Sequence, residues 1–445
     1  MNEAGEKHSE KHLQEAGDVT IFGSDAQIEL QLGHVCNNRC VFCVSGQLTE
    51  QRLAKQIPVD PVIKALEDGA SRGSKRVTFL GGEPTTQRSF MPALRRAVDL
   101  GYEQIVIFTN GVRTRKAEFV DKILALGGNY EWRFSVQGGT REAHDAVTLR
   151  PGSFDRIVAG MRHVADRGED VTINMCVNEN SYKSLPHFPE LCKEYSVRQL
   201  HIDQMRPSDA GARTDEYFAQ FMTRYSEMAP YFAKMLEGFE EMDPDYDVNL
   251  GNYPYCQLPE WAHKIHHDGQ ATLTYPADGV GNFCDPFDKY PTKRADKSHA
   301  PQCDKCAFKS QCNGVFDKYA ELFGLDEFKP VSLERLTELD TRGHFFWIEG
   351  TIGERTRLDS PNPSGHRRQK SDFGPLVQRR LRGHNFKIHR HPKAVAPVCD
   401  RRPSVGYGLQ KIDHPRLSGQ RPFDLRCARF LAKGTKKHHA NVQGQ

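Results

Sequence analysis

The chain is 445 residues long, with 12 cysteines, 27% charged residues and a formal net charge of +3. That length is enough for two or three domains with cores of their own, while the cysteines are too sparse for a disulfide scaffold. No apolar stretch opens the chain and no run of about eighteen apolar residues interrupts it, which argues against a signal peptide or a spanning helix and predicts a soluble, cytoplasmic protein without a membrane partner.

The small net charge conceals a split. Residues 351–445 hold 21 Lys and Arg against 6 Asp and Glu, a net +15, which leaves −12 for residues 1–350. The basic part also has eight prolines and little sustained periodicity, so a boundary is placed near Gly350 and the tail is read as disordered and solvated. A polar segment, 1–24, precedes the first apolar run.

Strands are predicted at 28–33, 76–80, 105–109, 132–136, 171–177 and 197–203, with helix-spaced apolar residues between them, such as Val62, Leu66 and Ala70 or Phe154, Ile157, Met161 and Val164. Alternating strands and helices imply an α/β fold with a parallel sheet, open or bent into part of a barrel, over 25–210. A connecting helix is predicted within 211–249, then a cysteine-rich segment over 250–330 and an extension of the core over 331–350.

Reactive loops in such sheets follow the carboxyl ends of strands, and the polar motifs do so here. "HVCNNRCVFC" follows the first strand and places Cys36, Cys40 and Cys43 in one turn, with Phe42 beside the last as a screen from water. Three thiolates around a cuboidal 4Fe-4S cluster leave one iron open to a small molecule. The competing readings are an incomplete zinc site and three unrelated buried cysteines. "FLGGEP" follows the second strand, where Gly81 and Gly82 let backbone approach a ligand and Glu83 offers a carboxylate to an ammonium group. "FTNG" and "FSVQGG" place Asn110 and Ser135 at the ends of the next two strands.

Together these motifs, in this order, resemble the radical S-adenosylmethionine (radical SAM) superfamily. The resemblance implies a partial (β/α)6 barrel in which Cys36, Cys40 and Cys43 hold a 4Fe-4S cluster whose open iron is chelated by SAM. It assigns the SAM ammonium to the Gly81–Glu83 segment, and the SAM methionyl or ribose groups to the neighbourhood of Asn110 and Ser135. An electron donor such as flavodoxin or ferredoxin is implied, and a 5′-deoxyadenosyl radical that takes hydrogen from substrate. "SVQGGTREAHDAVTLRPGSFD" further resembles the subgroup that modifies peptides and makes cofactors, except that Gln137 stands where that subgroup has Asp.

A second cysteine set follows: Cys256, Cys284, and Cys303, Cys306 and Cys312 in "CDKCAFKSQC". Four thiolates also suit structural zinc. The set resembles the SPASM and twitch extensions of radical SAM enzymes, which implies a smaller C-terminal domain with an auxiliary 4Fe-4S cluster. Phe316 stands where full SPASM has its next cysteine, so a single auxiliary cluster is expected on Cys303, Cys306, Cys312 and Cys256, with Cys284 as the substitute fourth ligand.

The substrate is left open between a small molecule and a peptide. Only about 25 residues precede the first strand, too few for a folded leader-binding domain, which favours a small molecule or a substrate delivered by another protein. Two other readings are a nucleic-acid-binding protein using its basic tail and a non-catalytic iron–sulfur scaffold.

Overall fold

Six strands stand where the apolar runs predict them: β1 (Gln27–Gln31), β2 (Arg76–Leu80), β3 (Gln104–Thr109), β4 (Tyr130–Phe134), β5 (Asp170–Val177) and β6 (Val197–Gln204). The structure, a computed structural model, describes residues 27–206, 215–267, 271–289, 294–345 and 348. The expectations for the 1–24 segment and the basic tail at 351–445 lie outside the described residues.

Strands β1 to β6 pair in chain order and all in parallel, so each connection must carry the chain back along the sheet. Helices make these returns: α1 (Val44–Glu50) and α2 (Val59–Ser71) after β1, α3 (Phe90–Asp99) after β2, and α4 (Ala117–Leu124) after β3. Two more, α5 (Arg141–Thr148) and α6 (Ser153–Ala165), follow β4, and α7 (Phe188–Glu194) follows β5. β1 and β6 do not pair with each other, so the sheet stays open as the predicted partial (β/α)6 barrel of α/β class.

The sheet continues past six strands on both sides. β7 (Asp247–Gly251) pairs in parallel with β6, and β8 (Ile265–His266) with β7. On the other side β9 (Thr272–Tyr275) pairs in parallel with β1 and carries β10 (Phe287–Asp288) antiparallel. Gln27 Nε2 donates to Thr272 Oγ1 at 2.7 Å across a separation of 245 residues, a pairing that no local pattern reveals. The segment with the second cysteine set is thus anchored to both flanks of the barrel sheet.

Within each strand, alternate residues pack into the apolar core, among them Ile28 and Leu30, Val77 and Phe79, Trp132 and Phe134, Leu200 and Ile202, all buried. The opposite face carries polar and charged side chains. There Glu131 accepts from Arg133 at 2.7 Å and pairs with Arg76 at 3.4 Å and Arg198 at 3.8 Å. Burial pushes the Glu131 carboxyl up, but the three guanidinium groups prevail and hold it below the ordinary carboxylate range.

The single connecting helix expected within 211–249 is instead two: α8 (Asp215–Ala219) and α9 (Tyr225–Met242). The intervening residues are taken by a tertiary contact, in which Glu179 N–H donates to Phe221 O at 2.9 Å and Thr223 Oγ1 to Glu179 Oε2 at 2.6 Å. Among the described residues, no helix is long and apolar enough to cross a membrane.

Candidate functional site

The loop from β1 to α1 holds Cys36, Cys40 and Cys43, partly exposed and outside any disulfide. Its start is fixed by Leu32 N–H on Leu80 O at 2.9 Å and by the buried His34 ring, which contacts Ser45 Oγ at 2.9 Å and Ala277 O at 3.1 Å. Its middle is tied to the end of α5, where Arg39 N–H and Val41 N–H reach Thr148 O and Val147 O, each at 3.0 Å. Cys43 N–H turns back on Cys40 O at 3.0 Å, and Cys43 is the N-cap of α1. Burial pushes the Cys36 thiol up to about 12, with the Glu83 charge adding to it. Phe42 is partly buried and packs against the core.

The two glycines of the following loop let its backbone pack closely on the cysteine loop. Gly82 N–H donates to Gly33 O at 2.7 Å and Glu83 N–H to Val35 O at 2.9 Å, so the loop after β2 lies directly on the cysteine loop. A Cβ on Gly82 would stand 2.4 Å from Val35 O, and one on Gly81 2.7 Å from Gly33 O. No side chain fits there.

Glu83 lies at the junction of two loops. Its side chain is 1% exposed, and its carboxylate is filled by protein donors. Oε1 accepts from Thr85 N at 3.1 Å, Thr85 Oγ1 at 2.5 Å and Thr109 Oγ1 at 2.8 Å, and Oε2 from Asn110 N at 2.7 Å. Burial pushes this carboxyl above its ordinary range, opposed by those hydrogen bonds. The carboxylate therefore joins the loop after β2 to the loop after β3, and an ammonium group would have to displace these donors to reach it.

Asn110 lies over the cysteine loop. Its Nδ2 donates to Asn37 Oδ1 at 2.6 Å and stands 3.8 Å from Cys36 Sγ. Ser135 is joined to the end of β3 through its N–H on Thr109 O at 2.8 Å. The structure thus brings together the triplet, Gly81 to Glu83, Asn110 and Ser135 at the carboxyl ends of β1 to β4. Gln137 accepts from Cys176 N at 2.9 Å, and its own N–H donates to His144 Nδ1 at 3.0 Å, so the position is structural here. Burial drives the His144 pKa down to about 4, consistent with a neutral ring accepting at Nδ1.

Two features escaped the sequence reading. Asp145 accepts from Gly152 N at 2.5 Å, Ser153 Oγ at 2.8 Å and Phe154 N at 2.9 Å, so the "HD…GSFD" pattern is a clamp that starts α6. On β6, His201 Nε2 pairs with Asp203 Oδ2 at 3.0 Å, and Asn252 Nδ2 donates to Asp203 Oδ1 at 2.9 Å. The alternation in "HID" was the available sign that both point to one face of the sheet.

Cys256, Cys303, Cys306 and Cys312 line one cavity with the stacked rings of Tyr255 and Phe308, whose centroids are 4.5 Å apart. Cys306 N–H bonds Cys303 O at 3.0 Å, Cys312 N–H bonds Phe308 O at 2.8 Å, and Gly314 N–H reaches Cys312 Sγ at 3.3 Å. Burial first, and the neighbouring thiols second, push Cys256 up to about 12. Cys284 is elsewhere, in a turn closed by the Ala277–Phe283 bridge, whose Ala277 meets His34 of the first cysteine loop. Among the described residues, no three His, Cys, Asp or Glu side chains converge tightly enough for one metal ion. The four thiols line this one cavity, a donor set that suits an iron–sulfur cluster or a tetrahedral zinc ion. Phe316 is buried in β12 (Val315–Phe316), which pairs with β11 (Lys297–Ser298).

Residues 30–182 match the radical SAM superfamily. The AdoMet-dependent heme synthase of Methanosarcina barkeri (strain Fusaro / DSM 804) is 29% identical over 233 residues, covering 52% of this chain and 62% of that protein. A probable GTP 3′,8-cyclase of Saccharolobus islandicus (strain M.14.25 / Kamchatka #1) is 27% identical over 196 residues, 43% of this chain and 61% of the cyclase. The chain thus spans about three fifths of the length of these curated relatives. Among solved structures, Streptococcus suis SuiB bound to S-adenosylmethionine has 14% identity and a TM-score of 0.48, covering 68% of this chain and 76% of that one. Native anSMEcpe with bound AdoMet has 13% identity and a TM-score of 0.46, with 73% and 99% coverage. With the three-thiol loop, the GGE and TNG loops laid against it and the matched span in agreement, this chain carries a radical SAM domain over residues 30–182.

Proposed function

We propose that the protein is a radical SAM enzyme whose Cys36, Cys40 and Cys43 hold a 4Fe-4S cluster, and which cleaves SAM reductively to act on a small molecule. The observation that carries this reading is that the GGE and TNG loops lie against the loop bearing the three thiols, inside the matched span. A cluster held by these thiols would supply the one-electron reduction that cleaves SAM to methionine and a 5′-deoxyadenosyl group able to take hydrogen from substrate. The protein's part is to fix the thiols through α5 and the Gly82–Glu83 backbone, and to screen the loop with Phe42. Backbone carbonyls of the Gly81–Gly82 turn, in place of the Glu83 side chain, receive the SAM ammonium, and Ser135 adjoins the nucleoside.

Both curated relatives are named for small-molecule products, a heme and a cyclised GTP, which supports cofactor or natural-product biosynthesis over peptide maturation. His201 and Asp203, at the carboxyl end of β6, offer hydrogen bonds to that substrate. Cys256, Cys303, Cys306 and Cys312 hold one auxiliary 4Fe-4S cluster, and a donor of the flavodoxin or ferredoxin class supplies electrons. The test is metal analysis after anaerobic reconstitution. About eight irons per chain are expected, unchanged in Cys284→Ser and reduced in Cys256→Ala. Zinc in place of iron, or loss of iron only in the Cys284 variant, contradicts the assignment.

A further inference from the structure

Two N–H groups are aimed at a single sulfur of the triplet. Asn38 N–H donates to Cys36 Sγ at 3.4 Å, and Asn110 Nδ2 stands 3.8 Å from the same atom, within reach of a large sulfur acceptor. Asn110 is held in this pose on all sides. Its Oδ1 accepts from Val112 N at 3.2 Å, its Nδ2 donates to Asn37 Oδ1 at 2.6 Å, and its backbone N–H is fixed on Glu83 Oε2 at 2.7 Å. Asn37 is held in turn, since Arg150 Nε donates to its carbonyl at 3.1 Å. An amide clamped in this way keeps its N–H directed at Cys36 without help from a ligand.

We propose that Asn110 is a positioning residue that raises the reduction potential of the cluster on Cys36, Cys40 and Cys43, and that Glu83 acts through it by fixing the Asn110 backbone. The inference rests on the cluster reading above and assigns Asn110 a role other than contact with SAM. The physical reason is charge. An N–H directed at a thiolate sulfur draws off negative charge, and the reduced cluster, which carries one more electron, gains more from this than the oxidised one. Removing the donor disfavours reduction. The buried Glu83 carboxylate works in the opposite sense, so a negative side chain at position 110 should disfavour reduction further.

The experiment is an EPR-monitored redox titration of the full chain, reconstituted anaerobically, following the reduced-cluster signal that added SAM perturbs. In Asn110→Ala, the ratio of reduced to oxidised cluster at a fixed solution potential is expected to fall roughly threefold or more at unchanged iron content. Asn110→Asp, nearly identical in shape but without the N–H and with a charge, is expected to fall further, and it decides the matter if the Ala variant loses iron. A lost side-chain contact that mattered only for folding would lower iron content and leave the midpoint of the remaining clusters in place. An unchanged midpoint at parental iron content overturns the inference while the cluster reading stands. A parent whose iron content and SAM-sensitive signal do not depend on Cys36, Cys40 and Cys43 overturns both.

Discussion

Glu83→Ala is expected to lower the stability of the protein by about 3 kcal/mol or more, a large effect for one side chain. The substitution removes four hydrogen bonds to a charged acceptor and strands two buried backbone N–H groups, Thr85 and Asn110, where water does not reach. Each unsatisfied buried donor costs about 1 to 3 kcal/mol, and partial relaxation of the hydroxyls of Thr85 and Thr109 keeps the sum below the simple total. At an unfolding entropy of about 2.1 cal/mol/K per folded residue, a folded part this large shifts by less than about 2 °C per kcal/mol, so thermal unfolding should move downward by roughly 5 °C. Glu83→Gln keeps the shape but turns one acceptor into a donor that must face another donor, so an intermediate loss is expected. A stable Glu83→Ala protein whose only defect is weak SAM binding would show that the carboxylate serves the ligand and not the two loops.

Replacing Cys36, Cys40 and Cys43 together by Ala is expected to remove about four of about eight irons and to abolish 5′-deoxyadenosine formation, with the auxiliary iron retained. The loop should keep its course, because its anchors are backbone contacts to Leu80, Thr148 and Val147 and the His34 ring, none of which uses a thiol. Iron and sulfide analysis beside far-UV circular dichroism checks this. Loss of all iron, or of none, would break the division of the cysteines into two sets.

The first six strands were legible because each is a short apolar run bounded by polar turns, and β2 falls on 76–80 as read. The added strands were not. "DVNLG" and "TLTY" are short and partly polar, and they become strands through the edges of β6 and β1, to which the chain returns only in three dimensions. The broken helix at 215–242 has a similar cause, since the pattern of apolar residues continues through 220–224 while Glu179 captures the backbone there. In the site, the sequence displayed which residue types gather after each strand, but it could not display direction. Glu83 in a turn after a strand looks the same whether its carboxylate faces a ligand or two threonines and an asparagine. The glycines before it look the same whether the close neighbour is a substrate or Val35. Cys256, 47 residues before Cys303, was nevertheless placed with the later triplet, and the cavity brings these four thiols together.

The most direct test of the central claim is incubation of the anaerobically reconstituted chain with SAM and dithionite, with no substrate added, and quantification of 5′-deoxyadenosine and methionine. Homolysis needs only the reduced cluster and bound SAM, so slow formation of both products in equal amounts is expected from the parent. None is expected from the Cys36, Cys40 and Cys43 variant. A fully iron-loaded parent that yields no 5′-deoxyadenosine with several reductants of lower potential would contradict the radical mechanism and leave an iron–sulfur protein of another kind.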